Sequence, residues 1–538
     1  MPPIPAIVDT QRAGAAGLEA AKTYRNPVLP GTYPDPSACR VGDDFYLVTS
    51  SFEYFPGVPI FHSRDLIHWR QIGHVLTRRS QLDLSGLASS KGIFAPTLRH
   101  HDGTFYMVTT NMEGGGSFFV TAQNPAGPWS EPIWVREEVF TMDPSLFFDD
   151  DGRAYYTRHG EGRHGAIFQA EIDVGTGRLL HEPRQIWAGT GDIWPEGPHL
   201  YRKDGIYYLM ISEGGTSYEH MVTVARSSSP FGPFDANPAN PILTHRQLPQ
   251  HPIQATGHGE LVDTPDGHWW MVLLGIRPST PKHHHIGRET FLAPVSWSNG
   301  WPVVNHGQPI ELEMPTEGLP PEHAWPTPPT RDDFTTEKLG FEWNYVRNPE
   351  SSHYSLSARK GFLRLRGSTV SSTDIASPTA VLQRQKFHRV TFATELELEA
   401  QPGQRAGLLI RGNEDNHYTL LVEGTANGRN VVATTRISGK TAEIARRAIP
   451  DGPVVLMIEG YGSRYDFFYE RDGRREALGS APTTPFAYEA TQSFTGAFVG
   501  LYAHSDRIEA PTMADFAWFE QRGGGQHGSA TDRAATAR

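Results

Sequence analysis

From Tyr33 onward, short apolar strand-like runs alternate with turn residues, and five segments share one layout. They are YPDPSACRVGDDFYLVTS, FAPTLRHHDGTFYMVTT, MDPSLFFDDDGRAYYTRH, PEGPHLYRKDGIYYLMIS and GHGELVDTPDGHWWMVLL. Each opens on a tight motif, runs through a short strand, turns, and enters a second strand rich in Tyr, Phe or Trp. The turn is Asp102-Gly103, Asp151-Gly152, Asp204-Gly205 or Asp266-Gly267, and Gly42-Asp43-Asp44 in the first segment. Asp-Gly between apolar runs predicts a hairpin, because Gly accepts the positive φ the turn requires. A third strand follows in most segments, as in PIFHSRDLIHW and ETFLAPVSWSNGW. Five such units, roughly 47 to 62 residues apart, predict a five-bladed β-propeller over about 25–305. A single β-sandwich is the alternative, and a β-helix would need shorter, stricter periods.

The pattern changes after Asn305. Residues 306–332 are Pro-rich without a sustained period, which predicts a linker. From Asp333, segments such as ATELELEA, RAGLLIRG, HYTLLVEG and GAFVGLYAH alternate apolar and polar residues at period 2. They predict an antiparallel β-sandwich over 333–522. The expected class is therefore all-β: a five-bladed propeller followed by a β-sandwich of the jelly-roll, concanavalin-like kind. Residues 1–24 and the Gly- and Ser-rich 523–538 are expected to be disordered.

Composition narrows the function. Hydrophobic residues at 38% and aromatics at 11% of 538 residues are enough for large cores, so disorder is not the default. The net charge of −12, with no Lys/Arg cluster, argues against a nucleic-acid or anionic-membrane partner. Cys39 is the one cysteine, so no disulfide forms within the chain. The N-terminus lacks a basic start followed by an apolar run, and no stretch approaches about 18 apolar residues. A cytoplasmic location is the resulting expectation; self-association into a homo-oligomer stays open.

In a propeller the innermost strand of each blade lines the axis, so equivalent positions converge. Aligning the opening motifs places Asp35, Ala95, Asp143, Glu196 and His258 in register. Three clustered acids cannot all ionise at their usual pKa, and one tends to stay protonated. An acid beside a base is what glycosidic cleavage needs. His258 with three carboxylates could also hold a divalent ion, with Ca²⁺ a better match than Zn²⁺. His283-His284-His285 is expected on a solvent-facing or substrate-rim loop rather than on a metal. Arg288, just before the last long strand, either keeps one acid ionised and bonds sugar hydroxyls or is an ordinary surface arginine.

The motifs NPVLPGTYPDPS, SSFEYFPGVPIFHSRDLIHW, MDPSLF, WPEGPHLY, SEGGTSYEHMVTVARS, GHGELV, IGRETF and FTGAFVGLYA together resemble glycoside hydrolase family 43, in its β-xylosidase and α-L-arabinofuranosidase group. The resemblance covers nearly the whole chain outside its termini. It implies an inverting, exo-acting enzyme with Asp35 as general base, Glu196 as general acid and Asp143 as the residue that tunes and orients the acid. It implies that Arg288 binds the sugar, that Phe52 packs on it, and that Phe494 reaches from the sandwich to close the pocket. It also implies that His258 lines the channel, where Ca²⁺ can be held through this His and waters; no cofactor is required. Phe94-Ala95-Pro96 stands where relatives often have Trp-Ala-Pro, so Phe94 alters one pocket wall. The loop TPKHHHIGRET also departs in length and histidine content.

The expected activity is release of terminal β-D-xylose from xylo-oligosaccharides, together with α-L-arabinofuranose as a second sugar. The alternative is an α-L-arabinofuranosidase acting on arabinoxylan or arabinan side chains, and the rival outside enzymes is a non-catalytic sugar-binding propeller.

Overall fold

A computed structural model describes residues 22–136, 141–160 and 162–523. Between Ser37 and Val304 the strands form five antiparallel sheets of four or five strands, taken up in chain order. Their first strands are Ser37–Val41, Thr97–His101, Met142–Phe148, Glu196–Lys203 and Gln254–Asp263. Each first strand contacts the next, and the fifth contacts the first, which closes a ring around an axis. Of the expected hairpins, His101↔Thr104 and Lys203↔Ile206 close on two-residue Asp-Gly turns. Both central residues there have positive φ (47° and 73°, 51° and 80°), the type I′ geometry whose twist matches the strands.

Apolar side chains between neighbouring sheets make the core. Val48, Ile60, Leu98, Met107 and Phe118 pack the first sheet on the second; Met210, Val222, Leu261, Met271 and Phe291 pack the fourth on the fifth. Each group alternates along its strands, so one face of every sheet feeds each interface.

The sandwich consists of an eight-stranded and a six-stranded antiparallel sheet. Leu363, Phe392, Leu408, Leu420, Leu456, Phe467 and Leu501 fill the space between them. The segment expected as a linker is tied down. Glu313–Pro315 pairs with Thr23–Arg25, and Trp325 donates Nε1–H to His68 O while Arg70 lies 3.8 Å over its ring. The N-terminal expectation therefore fails at Thr23 and Tyr24, which are in a strand, as Gly523 is at the other end; residues 1–21 and 524–538 lie outside the described residues. Tyr345–Val346 of the second domain pairs with Tyr54–Phe55 of the propeller. Beneath that pairing lies a buried charge cluster. Arg411 donates to Glu53 at 3.1 Å and to Glu414 at 2.8 Å, and Arg347 reaches Glu414 at 2.5 Å. Each buried charge has a partner, which is the condition for tolerating it. The pairing and the cluster fix how the domains sit, and so what the second domain brings over the ring axis.

Candidate active site

The opening motifs hold their residues by an uncommon backbone. Asp35, Asp143 and His258 have φ of 55°, 52° and 43°. A left-handed turn in a non-glycine residue costs on the order of 1 kcal/mol. Register shifts accompany it between Met142 and Ser145, between Glu196 and His199, and on both sides of Gly257. Such bulges re-aim side chains at the end of a strand.

The register corrects one position. Ser37, Thr97, Ser145, His199 and Glu260 are the equivalent ladder residues, paired with Val48, Val108, Thr157, Met210 and Val272. Two residues earlier stand Asp35, Ala95, Asp143, Gly197 and His258, and the left-handed φ of the fourth sheet falls on Gly197 at 57°. Glu196 is thus not the equivalent of Asp35. It sits one residue earlier, paired with Ser212 as Met142 pairs with His159. Gly197 also makes room: a Cβ there would lie 3.0 Å from the His258 ring, and its N–H donates to Asp143 Oδ2 at 3.1 Å.

Asp35 is buried and surrounded by donors. Ser50 Oγ donates to Oδ2 at 2.5 Å, Arg288 Nη1 donates to Oδ1 at 3.0 Å, and His258 Nδ1 lies 3.7 Å away. Burial pushes the carboxyl up, but Arg288, His258, Ser50 and His220 override it and hold it below the usual carboxylate range. Asp143 goes the other way. Burial, then the charges of Glu196 and Asp35, push it well above the ordinary value, against the Gly197 N–H and Arg288. Burial keeps the His258 imidazole neutral to lower pH than usual, against Asp35 and Glu196.

Arg288 is no surface arginine. Its Nη1 also donates to Thr216 Oγ1 at 2.9 Å, and its guanidinium lies 5.7 Å over Phe52 and 5.5 Å over Phe494. Phe52, Phe94 and Phe494 form a triangle with centroids 5.6 to 5.9 Å apart, one ring from each of two blades and one from the sandwich. Every residue expected at the site is therefore placed there. Ser50, Thr216, His220 and Tyr488 were not anticipated. His220 Nε2 is 3.5 Å from Glu196, and the Tyr488 ring stacks 6.2 Å from Phe494, where its phenol feels the charges of Arg288 and Glu196. Thr216 and His220 belong to SEGGTSYEH, a motif that could have been searched residue by residue.

His283, His284 and His285 are buried, which corrects the solvent-facing half of the expectation, while His284 stacks 6.2 Å from Tyr488, on the substrate-rim side of it. His283 Nε2 meets Thr483 at 3.0 Å, His284 Nδ1 meets Glu489 at 2.9 Å, and His285 Nε2 meets Gln385 at 3.2 Å, all partners from the sandwich. Packing against the second domain, invisible to a local reading, covers them.

The surroundings of His258 do not fit a calcium ion held by protein oxygens. Ca²⁺ takes six to eight oxygen ligands, whereas the Asp35 oxygens are engaged by Ser50 and Arg288. Below, the Glu260 carboxylate is engaged by Arg99, which also reaches His199 at 3.2 Å. Among the described residues no group of three or more His, Cys, Asp or Glu side chains is placed to hold a metal.

A ring of first strands brings together one carboxyl held ionised and one that keeps its proton, beside three aromatic rings, the arrangement used by hydrolases of the two-carboxylate glycosidase class. The match to known proteins makes this specific. The model of glycosyl hydrolases family 43 matches residues 24–302, and that of the β-xylosidase C-terminal concanavalin A-like domain matches 331–522. A non-reducing end α-L-arabinofuranosidase of Bacteroides ovatus is 42% identical over 94% of this chain and 95% of its own. A xylosidase/arabinosidase of Butyrivibrio fibrisolvens is 41% identical over 92% and 98%. The solved structure of the Bacteroides ovatus xyloglucan PUL GH43B superposes with a TM-score of 0.90 at 42% identity, covering 93% of this chain and all of that one. The chain belongs to glycosyl hydrolase family 43 and is a glycosidase with an oligosaccharide substrate.

Proposed function

We propose that the protein is an exo-acting, inverting glycosidase that releases terminal β-D-xylose from xylo-oligosaccharides and accepts terminal α-L-arabinofuranose in the same pocket. The observation that carries this reading is the opposite displacement of two neighbouring carboxyls. Asp35 is held ionised by Arg288, while Asp143 is driven to keep its proton by burial and by Glu196 and Asp35. Asp143 retains a proton at a pH where Asp35 has lost its own.

Glu196, whose charge helps push Asp143 up, is less deeply buried than Asp143 and is the carboxyl we assign to meet the glycosidic oxygen. It gives the proton to the glycosidic oxygen, and Asp35 takes one from the attacking water. An inverting site needs carboxyl groups roughly 6.5–9.5 Å apart to seat that water. Phe494 and Tyr488 wall the pocket from the second domain, which suits a chain end and supports exo action.

An α-L-arabinofuranosidase is the second reading, favoured by the name of the Bacteroides relative. Rates on nitrophenyl β-xyloside and nitrophenyl α-arabinofuranoside, measured side by side, decide the order. The anomer first released, followed by NMR, tests the stereochemistry: α-xylose as first product supports inversion, and β-xylose overturns it.

A further inference from the structure

Glu489 lies on the single helical turn Tyr488–Thr491 of the second domain. Its Oε1 accepts the Tyr218 hydroxyl at 2.6 Å and lies 2.9 Å from His284 Nδ1; its Oε2 accepts the His284 N–H at 3.4 Å. These contacts grip two propeller loops. The first carries Tyr218 together with Thr216, which takes a bond from Arg288, and His220, which stands beside Glu196. The second runs from Arg277 through His284 to Arg288 itself. One carboxylate from another domain thus touches both chain segments that flank the guanidinium facing Asp35.

We propose that Glu489 is a positioning residue for the reaction: by bridging Tyr218 and His284 it fixes Thr216 and Arg288, and through Arg288 the charge on Asp35. The inference rests on the reading that Asp35 and Arg288 act on the sugar. Three features support it. The bridge is charge-assisted, and such hydrogen bonds are about twice as strong as neutral ones. Despite burial, His284 and Tyr218 pull the Glu489 carboxyl down to about 2, so it stays ionised wherever the enzyme works. The neighbouring Tyr488 ring stacks on both His284 and Phe494, so the same turn sets the aromatic wall.

The test compares Glu489→Gln and Tyr218→Phe with wild type, and with Asn348→Ala as control. Asn348 makes another contact between the domains, accepting the Leu84 N–H at 2.7 Å and donating to Leu82 O at 2.8 Å, on a propeller segment that does not lead to Arg288. On nitrophenyl β-xyloside, Glu489→Gln is expected to lower kcat/KM about 10-fold, mainly in kcat, since a misplacement of about 1 Å can cost up to 100-fold. The acid limb of kcat/KM against pH is expected to move to higher pH, because Asp35 then depends more on His258, His220 and Ser50 and less on Arg288, with Asp143 opposing. Tyr218→Phe is expected to shift the limb in the same direction, and Asn348→Ala to leave the kinetics within two-fold of wild type. A fall in melting temperature with kcat and the acid limb unchanged in both Glu489→Gln and Tyr218→Phe overturns the proposal. If Glu489→Gln does not fold, Tyr218→Phe decides alone. An inert Asp35→Asn alongside normal Glu489→Gln kinetics removes only this proposal, whereas an active Asp35→Asn removes the functional reading beneath it.

Discussion

Replacing Arg288 by Met keeps the bulk of the side chain and removes the charge 3.0 Å from Asp35. Both side chains are under a tenth exposed, so solvent screens the pair little. Two unit charges at that distance attract by about 5 kcal/mol at an effective dielectric constant near 20. Loss of even half of that shifts the balance between ionised and protonated Asp35 by about two orders of magnitude at fixed pH. The sign follows from the cause. Asp35 sits below the ordinary range because Arg288 and its neighbours outweigh burial; without the guanidinium, burial prevails and the carboxyl moves up. The base is then ionised only at higher pH. The assay is kcat/KM on nitrophenyl β-xyloside between pH 4 and 9 for wild type and Arg288→Met, with melting curves to confirm folding. The expected result is a loss of up to about 100-fold near pH 5 that narrows as pH rises. A profile lowered by the same factor at every pH would refute the argument, because Arg288 would then bind sugar without setting the charge on Asp35.

Glu196→Ala should cost about 100- to 10,000-fold in kcat on xylobiose but much less on nitrophenyl β-xyloside, whose leaving group needs no proton; equal losses on both count against its role as acid. Gly257→Ala should lower both kcat and melting temperature, since a Cβ there falls 2.3 Å from the His220 ring, which stands beside Glu196; unchanged kinetics would show that the ring can yield. Dialysis against a chelator should leave kcat within two-fold of the untreated enzyme, because the Asp35 and Glu260 oxygens near His258 are already engaged by Ser50, Arg288 and Arg99; loss restored by Ca²⁺ alone would reverse that view.

The two domains and the convergence of Asp35, Asp143 and His258 were legible in the sequence because they rest on local chemistry repeated along the chain. Asp-Gly turns, aromatic second strands and x-Pro openings recur in most of the propeller units. The Glu196 alignment is off by one residue because it follows the acidic side chain rather than the x-Pro step. Gly197-Pro198, not Glu196-Gly197, matches Asp35-Pro36, and the ladder pairing makes that plain. The histidine run misled for a different reason. Its three imidazoles are covered by Thr483, Glu489 and Gln385, between 100 and 205 positions away in the chain. Ser50, Thr216 and Tyr488 went unnoticed because ordinary polar residues matter here only through what the fold sets beside them. Phe494 was placed by resemblance alone, since no local pattern says that a sandwich residue faces a propeller.

The wall made by Phe494 and Tyr488 has a consequence for how activity arises during synthesis. The ribosome finishes all five blades, with every carboxylate in place, before either ring exists. A nascent propeller is therefore an open cup with its acids exposed to water, and its sugar site is completed only when the second domain has been made and has docked. The onset of turnover should report that docking rather than closure of the propeller. A nascent chain stalled just after the fifth blade offers the means to watch the two events separately.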